Sequence, residues 1–237
     1  MNNYGFIRTA AAVPSVRVAD TAYNTDQICS LIANATENQV SIAVFPELCI
    51  TGYTCGDLFR QTVLIKGAEE GVRKLADFCS STKTTVVVGA PVSYGGRLYD
   101  CSIVISKGEI LGIVPKVNLA QGQERIFSSG EDFLSEETWE IRYAGQKCII
   151  SPKLQFKIAD AVVAVEIGED LWSVIPQSCG HALSGVHIIA HPSAENEILM
   201  TDTYRKDRLK QHSAATLTGY IHASAGFGES TQDNVHA

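Results

Sequence analysis

The chain has 237 residues, a formal net charge of −7 and 45% apolar residues, which suits one large α/β domain with a substantial buried core. The acidic balance and the lack of any basic run argue against a nucleic-acid surface. No apolar stretch reaches membrane-spanning length, and MNNYGFIRT lacks the basic and apolar regions of a signal peptide. Seven cysteines, odd in number and without a CxxC, suit reduced, mostly buried thiols in the cytoplasm rather than a disulfide framework.

Gly5–Pro14 reads as a first strand, and Asp20 or Thr21 caps a helix over 22–35, where Ile28, Leu31, Ile32 and Ala35 recur at helical spacing. Val40-Ser41-Ile42-Ala43-Val44-Phe45 is the β-branched, apolar run of a buried strand, ended by Pro46, which has no N–H for the ladder. Glu47 then stands at the strand's C-terminal end among apolar neighbours. Desolvation there would push a carboxyl toward a neutral-range pKa and suit a proton acceptor; a helix-capping or arginine-paired glutamate would explain the position equally well. A second helix over 67–80 would bury Val72, Leu75, Ala76 and Cys79. Thr84–Gly89 is a short buried strand closed by Pro91. Leu98–Ser106 and Glu109–Val114 form a hairpin across Lys107-Gly108. Lys116 follows directly, and on position alone it is an ordinary surface lysine.

Trp139–Tyr143, Gln146–Ile150 and Leu154–Ile158 are further short strands. AVVAVEI, residues 161–167, is a buried run that leads into Gly168 and then the turn Glu169-Asp170-Leu171-Trp172. Glycine at 168 permits a tight strand-to-helix turn. A helix over 173–183 and a strand over 186–190 come next, then the loop His191-Pro192-Ser193-Ala194-Glu195-Asn196. His187 and His191 share a strand face, but no spacing supplies a third metal ligand, so they read as core or loop histidines. A helix over 203–219 would bury Leu209, Ala215 and Leu217 and turn Arg205-Lys206-Asp207-Arg208 toward solvent or another subunit. Tyr220–Ala223 is a last strand. This alternation of strand and helix predicts a layered α/β architecture.

The words FPELCITGY and TCGDLF around Glu47, VEIGEDLW at 165–172, GFIRTAAAVPSVRVAD at 5–20 and SAGFGEST at 224–231 resemble the nitrilase superfamily. These are carbon–nitrogen hydrolases with a Glu–Lys–Cys triad. Within it the match is to the N-terminal glutaminase domain of glutamine-dependent NAD synthetases, along nearly the whole chain. The resemblance implies a nitrilase-type four-layer α-β-β-α sandwich, with Glu47 as base and Lys116 as oxyanion stabiliser. It also implies a substrate pocket involving Tyr53, Glu169 (through its N–H), Trp172, Ser193 and Glu195. Such domains hydrolyse glutamine and pass ammonia to a synthetase domain that amidates deamido-NAD with ATP, and they assemble as homo-oligomers. The helix near 205–211 or the 179–183 region is the expected interface.

The sequence departs from that pattern at four places. Gly168 occupies the nucleophile position of a word close to VEICEDLW, and a thiol is what the chemistry there needs. The loop VNLAQGQERIFSSGED after Lys116 is shorter and has no tyrosine. Glu195 stands where serine is usual and would repel an α-carboxylate, and Thr201 stands where lysine or arginine is common. No native cysteine takes the nucleophile's place by order. Two functions are therefore expected: a glutaminase domain that does not hydrolyse glutamine, or a catalytically silent nitrilase-fold scaffold or regulatory module. An amidase of altered specificity, acting through some other nucleophile, is a weaker third. No SGGxDS loop occurs, so residues 1–237 are expected to form one domain, truncated at its C-terminal end. ATP and deamido-NAD would bind a synthetase domain outside it, and no cofactor or metal would bind within it.

Overall fold

A computed structural model describes residues 5–135, 139–226 and 228–229. In chain order the elements are β1 (Thr9–Ala11), α1 (Thr21–Glu37), β2 (Ile42–Val44), α2 (Thr62–Cys79), β3 (Thr85–Tyr94), β4 (Arg97–Ser106) and β5 (Glu109–Pro115). They continue with β6 (Trp139–Tyr143), β7 (Gln146–Ile150), β8 (Gln155–Ile158), β9 (Ala161–Val165), α3 (Gln177–Leu183), β10 (Ile188–Ser193), α4 (Thr201–Thr216) and β11 (Gly219–Ser224). One sheet has seven strands in the order β1-β2-β3-β4-β5-β7-β6, and the other has four in the order β11-β10-β9-β8.

The two sheets face each other across a shared core. Ile42, Val44, Val87, Val104 and Val114 of the first meet Val163, Val165, Ile188, Ala190 and Ile221 of the second. On the outer face of the first sheet, Ile28 and Ile32 of α1 and Val72 and Leu75 of α2 pack with Val86, Val88, Ile103 and Ile105. On the outer face of the second lie α3, against β9, and α4, against β11. These layers make the four-layer α-β-β-α sandwich of the nitrilase type.

Local chemistry explains some element ends. Asp20 caps α1 by accepting the Tyr23 N–H at 3.1 Å. Lys107 (φ 51°) and Gly108 (φ 90°) are both left-handed, as a two-residue hairpin turn requires. Buried Asn24 accepts the Arg17 N–H at 2.8 Å and donates to the Ile50 carbonyl at 3.0 Å, tying the first loop to the segment after Glu47.

Several elements differ from the sequence expectation. The first strand shrinks to Thr9–Ala11, α2 starts at Thr62, and α3 is only Gln177–Leu183 behind Pro176. Pro91 does not close β3, which runs on to Tyr94 paired with β4. Pairing with β2 stops at Val87, so at Pro91 one side of the strand carries no ladder and tolerates a missing N–H. The larger correction concerns α4. Its buried residues are Arg205 and His212, while Leu217 is 89% exposed, Ala215 is exposed and Leu209 half-buried. Its inner face is polar: Arg205 lies beside Glu195 and Glu197, and His212 Nε2 lies 2.8 Å from Ser178 Oγ. Among the described residues no helix is long and apolar enough to cross a membrane.

Candidate active site

Pro46 and Glu47 leave β2 and turn sharply at Leu48, whose φ is 51°. The turn lies directly on Gly89 of β3, where a Cβ would come within 2.6 Å of the Pro46 carbonyl oxygen; only glycine fits beneath it. The Glu47 N–H points to the Ser193 carbonyl at 3.4 Å, joining the end of β2 to the end of β10. Lys116 leaves β5 and is fully buried, as is Glu47 at 1% exposure. Its Nζ lies 2.7 Å from Glu47 Oε1 and 2.6 Å from Glu169 Oε2. Gly168 opens the turn after β9 with φ 49°, and a Cβ built on it would stand 2.6 Å from Glu47 Oε2 and 2.9 Å from Lys116 Nζ. Glu47, Lys116 and Gly168 therefore converge where the two sheets end. The surroundings of Glu47 differ from the apolar setting expected from sequence, because a buried ammonium faces it.

Burial disfavours the Lys116 ammonium, but the charges of Glu47 and Glu169 outweigh it and hold its pKa well above the ordinary lysine value. Asp100 belongs to this cluster and was not foreseen. Burial, followed by the charge of Glu47, pushes the Asp100 carboxyl well above the usual range. Gln123 Nε2 donates to Glu47 Oε1 and to Asp100 Oδ2, each at 3.3 Å. The sequence signal for Asp100 was a lone acid inside the apolar run of β4. Asp170, also missed, accepts the Asn118 N–H at 2.6 Å and its Nδ2 at 2.9 Å, fastening the loop after Lys116 to the turn after Gly168.

His191 is a buried core histidine beneath the turn. Its Nε2 lies 3.1 Å from the Gly168 carbonyl and its Nδ1 2.9 Å from Nδ1 of His222. Burial lowers the two rings to about 4 and about 3 respectively. Both are thus neutral: His191 donates from Nε2 to the carbonyl, and His222 donates to His191 Nδ1. His187 accepts the Val162 N–H instead. Among the described residues no group of three or more His, Cys, Asp or Glu side chains could hold a metal ion.

The expected pocket residues fall into two groups. Tyr53 is half-buried, with its hydroxyl pKa raised by burial and then by Glu47. With Gln123, Phe59 and Phe127 it lines a cavity of about 220 Å³. The loop after Lys116 thus supplies an aromatic wall through Phe127, which stands edge-on to Phe59 at 4.9 Å. Buried Glu229 holds this group in place by accepting the N–H groups of Tyr53 at 2.6 Å and Thr54 at 3.1 Å. The second group is Trp172, Ser193 and Glu195. Trp172 Nε1 and Ser193 Oγ both donate to Glu195 Oε1, at 3.4 and 3.0 Å, and Trp172 stacks on Tyr204 at 5.3 Å. Glu195 is not the free repelling carboxylate expected from sequence: Arg205 Nη1 lies 3.6 Å away and both side chains are buried.

Glu166, just before the turn, accepts Ser178 Oγ at 2.9 Å and the Tyr220 hydroxyl at 3.1 Å. Burial raises its carboxyl to about 7. The folded chain therefore retains a proton between about pH 4.5 and 7 that the unfolded chain has lost. The stability linked to that proton is present at low pH and lost as pH rises through about 7, amounting to about 3 kcal/mol. Glu166→Gln is expected to remove this slope, so the gap between variant and parent in urea denaturation should widen in favour of the variant from pH 5 to pH 8. Parallel pH profiles would exclude a protonated Glu166.

The fold and this convergence of carboxylate and ammonium define a class. The carbon-nitrogen hydrolase family profile matches residues 8–228, and the chain belongs to that family. Glutamine-dependent NAD(+) synthetase of Mycobacterium leprae is 31% identical over 241 residues, covering 98% of this chain and 35% of the relative. The Mycobacterium tuberculosis synthetase is 31% identical over 237 residues, covering 97% and 34%. The chain thus spans about a third of the length of these curated relatives. A glutamine-dependent NAD(+) synthetase structure from Cytophaga hutchinsonii superposes with a TM-score of 0.84 at 27% identity, over 97% of this chain and 37% of that one. An amidase from Nesterenkonia sp. shares the fold, with a TM-score of 0.71 at 17% identity, over 97% and 79%.

Proposed function

We propose that the chain is a glutamine amidohydrolase domain of the glutamine-dependent NAD synthetase type that does not itself hydrolyse glutamine. The observation that carries this reading is the placement of Glu47 Oε2 and Lys116 Nζ against the site a side chain would occupy at Gly168. Amide hydrolysis by this route needs a nucleophile to attack the carbonyl and carry the acyl group, with Glu47 taking its proton. Lys116 and the Glu169 N–H would stabilise the oxyanion. Glycine supplies the turn but no attacking atom. Tyr53, Trp172, Ser193 and Glu195 are assigned to the glutamine pocket, with Arg205 offsetting the charge of Glu195. In this reading residues 1–237 form one cytoplasmic glutaminase-type domain, and ATP and deamido-NAD belong to a synthetase domain.

Glutamine incubated with the purified chain should release no ammonia above a buffer blank. Binding and oxyanion contacts alone leave on the order of 10³–10⁴-fold over water in a comparable triad, too little against an amide's slow background. Ammonia release that Glu47→Ala abolishes would show that another group serves as nucleophile.

A silent scaffold is the second reading, favoured by the outer face of α3 and α4. Val174, Ile175, Leu183 and Leu217 are between 74% and 101% exposed there, beside a cavity of about 530 Å³ lined by Cys179, Arg208 and His212. An apolar face of this kind suits association, and we infer a homo-oligomer formed through it. Light scattering at micromolar concentration should give at least twice the chain mass of 25.6 kDa; a monomer would remove this inference.

A further inference from the structure

We propose that the end of the sandwich opposite Glu47 and Lys116 binds a small organic phosphate. A cavity of about 320 Å³ opens there between the two sheets, at the lower end of the size range of small-molecule sites, about 300–1,000 Å³. Its position follows from topology. Ser41 immediately precedes β2, the strand that leads to Glu47, and Thr85 opens the parallel strand β3. Two tight hairpin turns flank the cavity, one from each sheet: Lys107-Gly108 between β4 and β5, and Ala159-Asp160 between β8 and β9.

Charge marks the ligand class. Lys83, Lys107 and Lys157 all line the cavity, and no carboxylate does. Of the ten lysines in the chain, Lys74, Lys116, Lys147 and Lys206 are ion-paired and Lys153 donates to the Leu134 carbonyl. The other five, Lys66, Lys83, Lys107, Lys157 and Lys210, have no such partner among the described residues. Three of those five meet at this one cavity, in a protein whose net charge is −7. Three unneutralised ammonium groups around a pocket disfavour a metal or an amine and favour a multiply charged anion.

The lining also contributes hydrogen-bond donors and an apolar wall. Thr85 Oγ1 and Ser106 Oγ lie 3.0 Å apart, with Thr85 only 3% exposed. One of these hydroxyls donates to the other, and the second hydrogen has no acceptor among the described residues, so it is available to an anion oxygen. Leu111, Ile158 and Ala159 form the remaining wall, a surface for carbon rather than for a bare ion. Because Lys107 sits in a two-residue turn and Lys157 lies one residue from another, their backbones are fixed before any ligand arrives, which lowers the cost of binding.

The test is calorimetric titration of the purified chain at low salt with AMP, inorganic phosphate and adenosine. AMP should bind saturably with a Kd of about 1 mM or tighter, inorganic phosphate more weakly, and adenosine not at all. Lys107→Glu with Lys157→Glu should weaken AMP at least about tenfold, and the milder pair Lys107→Gln with Lys157→Gln should weaken it in the same direction. Lys66→Glu with Lys210→Glu, which changes net charge equally but lies outside the cavity, should leave the affinity within about twofold. All of these side chains are exposed, and circular dichroism checks that each variant folds. Failure of AMP to saturate by about 10 mM would overturn the proposal. So would equal weakening by the control pair, or inorganic phosphate binding as tightly as AMP. None of these outcomes depends on glutamine chemistry at the opposite end.

Discussion

Gly168→Cys should create a thiol that iodoacetamide alkylates at pH 7 at least about tenfold faster than any of the seven native cysteines. A Cβ at this position would stand 2.9 Å from the Lys116 ammonium, and a thiolate beside a buried cation is stabilised. Six of the native cysteines are buried, and burial pushes Cys49 and Cys55 to about 12 and Cys79 and Cys148 to about 11. The substitution has a cost. Glu47 Oε2 and Lys116 Nζ must give way, though both are ends of flexible side chains, and φ of 49° costs a non-glycine residue about 1–2 kcal/mol. At about 2–4 °C per kcal/mol for a chain of this size, Tm should fall by roughly 2–8 °C. Glutamine turnover by the variant should stay slow, because Glu47 Oε1 is already shared by Lys116 and Gln123. Misplacing a reacting group by about 1 Å can cost a hundredfold. Labelling no faster than the native thiols would refute the geometry of the site, and rapid ammonia release would show that Glu47 remains placed to act as base.

Lys116→Met should be the most destabilising single change at the site, about 3–5 kcal/mol. It leaves Glu47 buried at 1% exposure without the ammonium 2.7 Å away. Glu169 is less affected, because its side chain is 34% exposed and can turn to water. Adding Glu47→Gln to the same chain removes the stranded charge and should return part of the loss, with a coupling energy of about 1–3 kcal/mol in a double-mutant cycle. Urea denaturation of the four chains checks this, and a loss under about 1 kcal/mol at pH 8 would contradict a fully desolvated pair.

Much of this protein is determined by the sequence alone, for a physical reason that operates locally. The run Val40–Phe45 holds the buried strand β2, Ile42–Val44, because its apolar, β-branched residues fit a two-sided sheet, and Pro46 has no N–H with which to continue it. Asp20 caps α1 and Lys107-Gly108 turns the hairpin through interactions within a few residues. That Glu47, Lys116 and Gly168 meet is expected only through the resemblance of their surrounding words to the nitrilase superfamily, because Glu47 and Lys116 are 69 residues apart and position alone leaves each with an ordinary structural explanation. Tertiary structure decided the buried polar partners. Apolar periodicity assigned Leu209, Ala215 and Leu217 to the inner face of α4, yet that face buries Arg205 because Glu195 and Glu197, on a separate loop, lie 3.6 and 3.1 Å from it. Pro91 lies inside β3 because its neighbour β2 is short, and the Asp100 carboxyl is pushed up by burial and then by Glu47, which arrives beside it from the end of β2. Burial of an apolar side chain can be read from its own spacing, whereas a buried charge or carboxyl is tolerable only through specific partners, and chain folding alone brings those together.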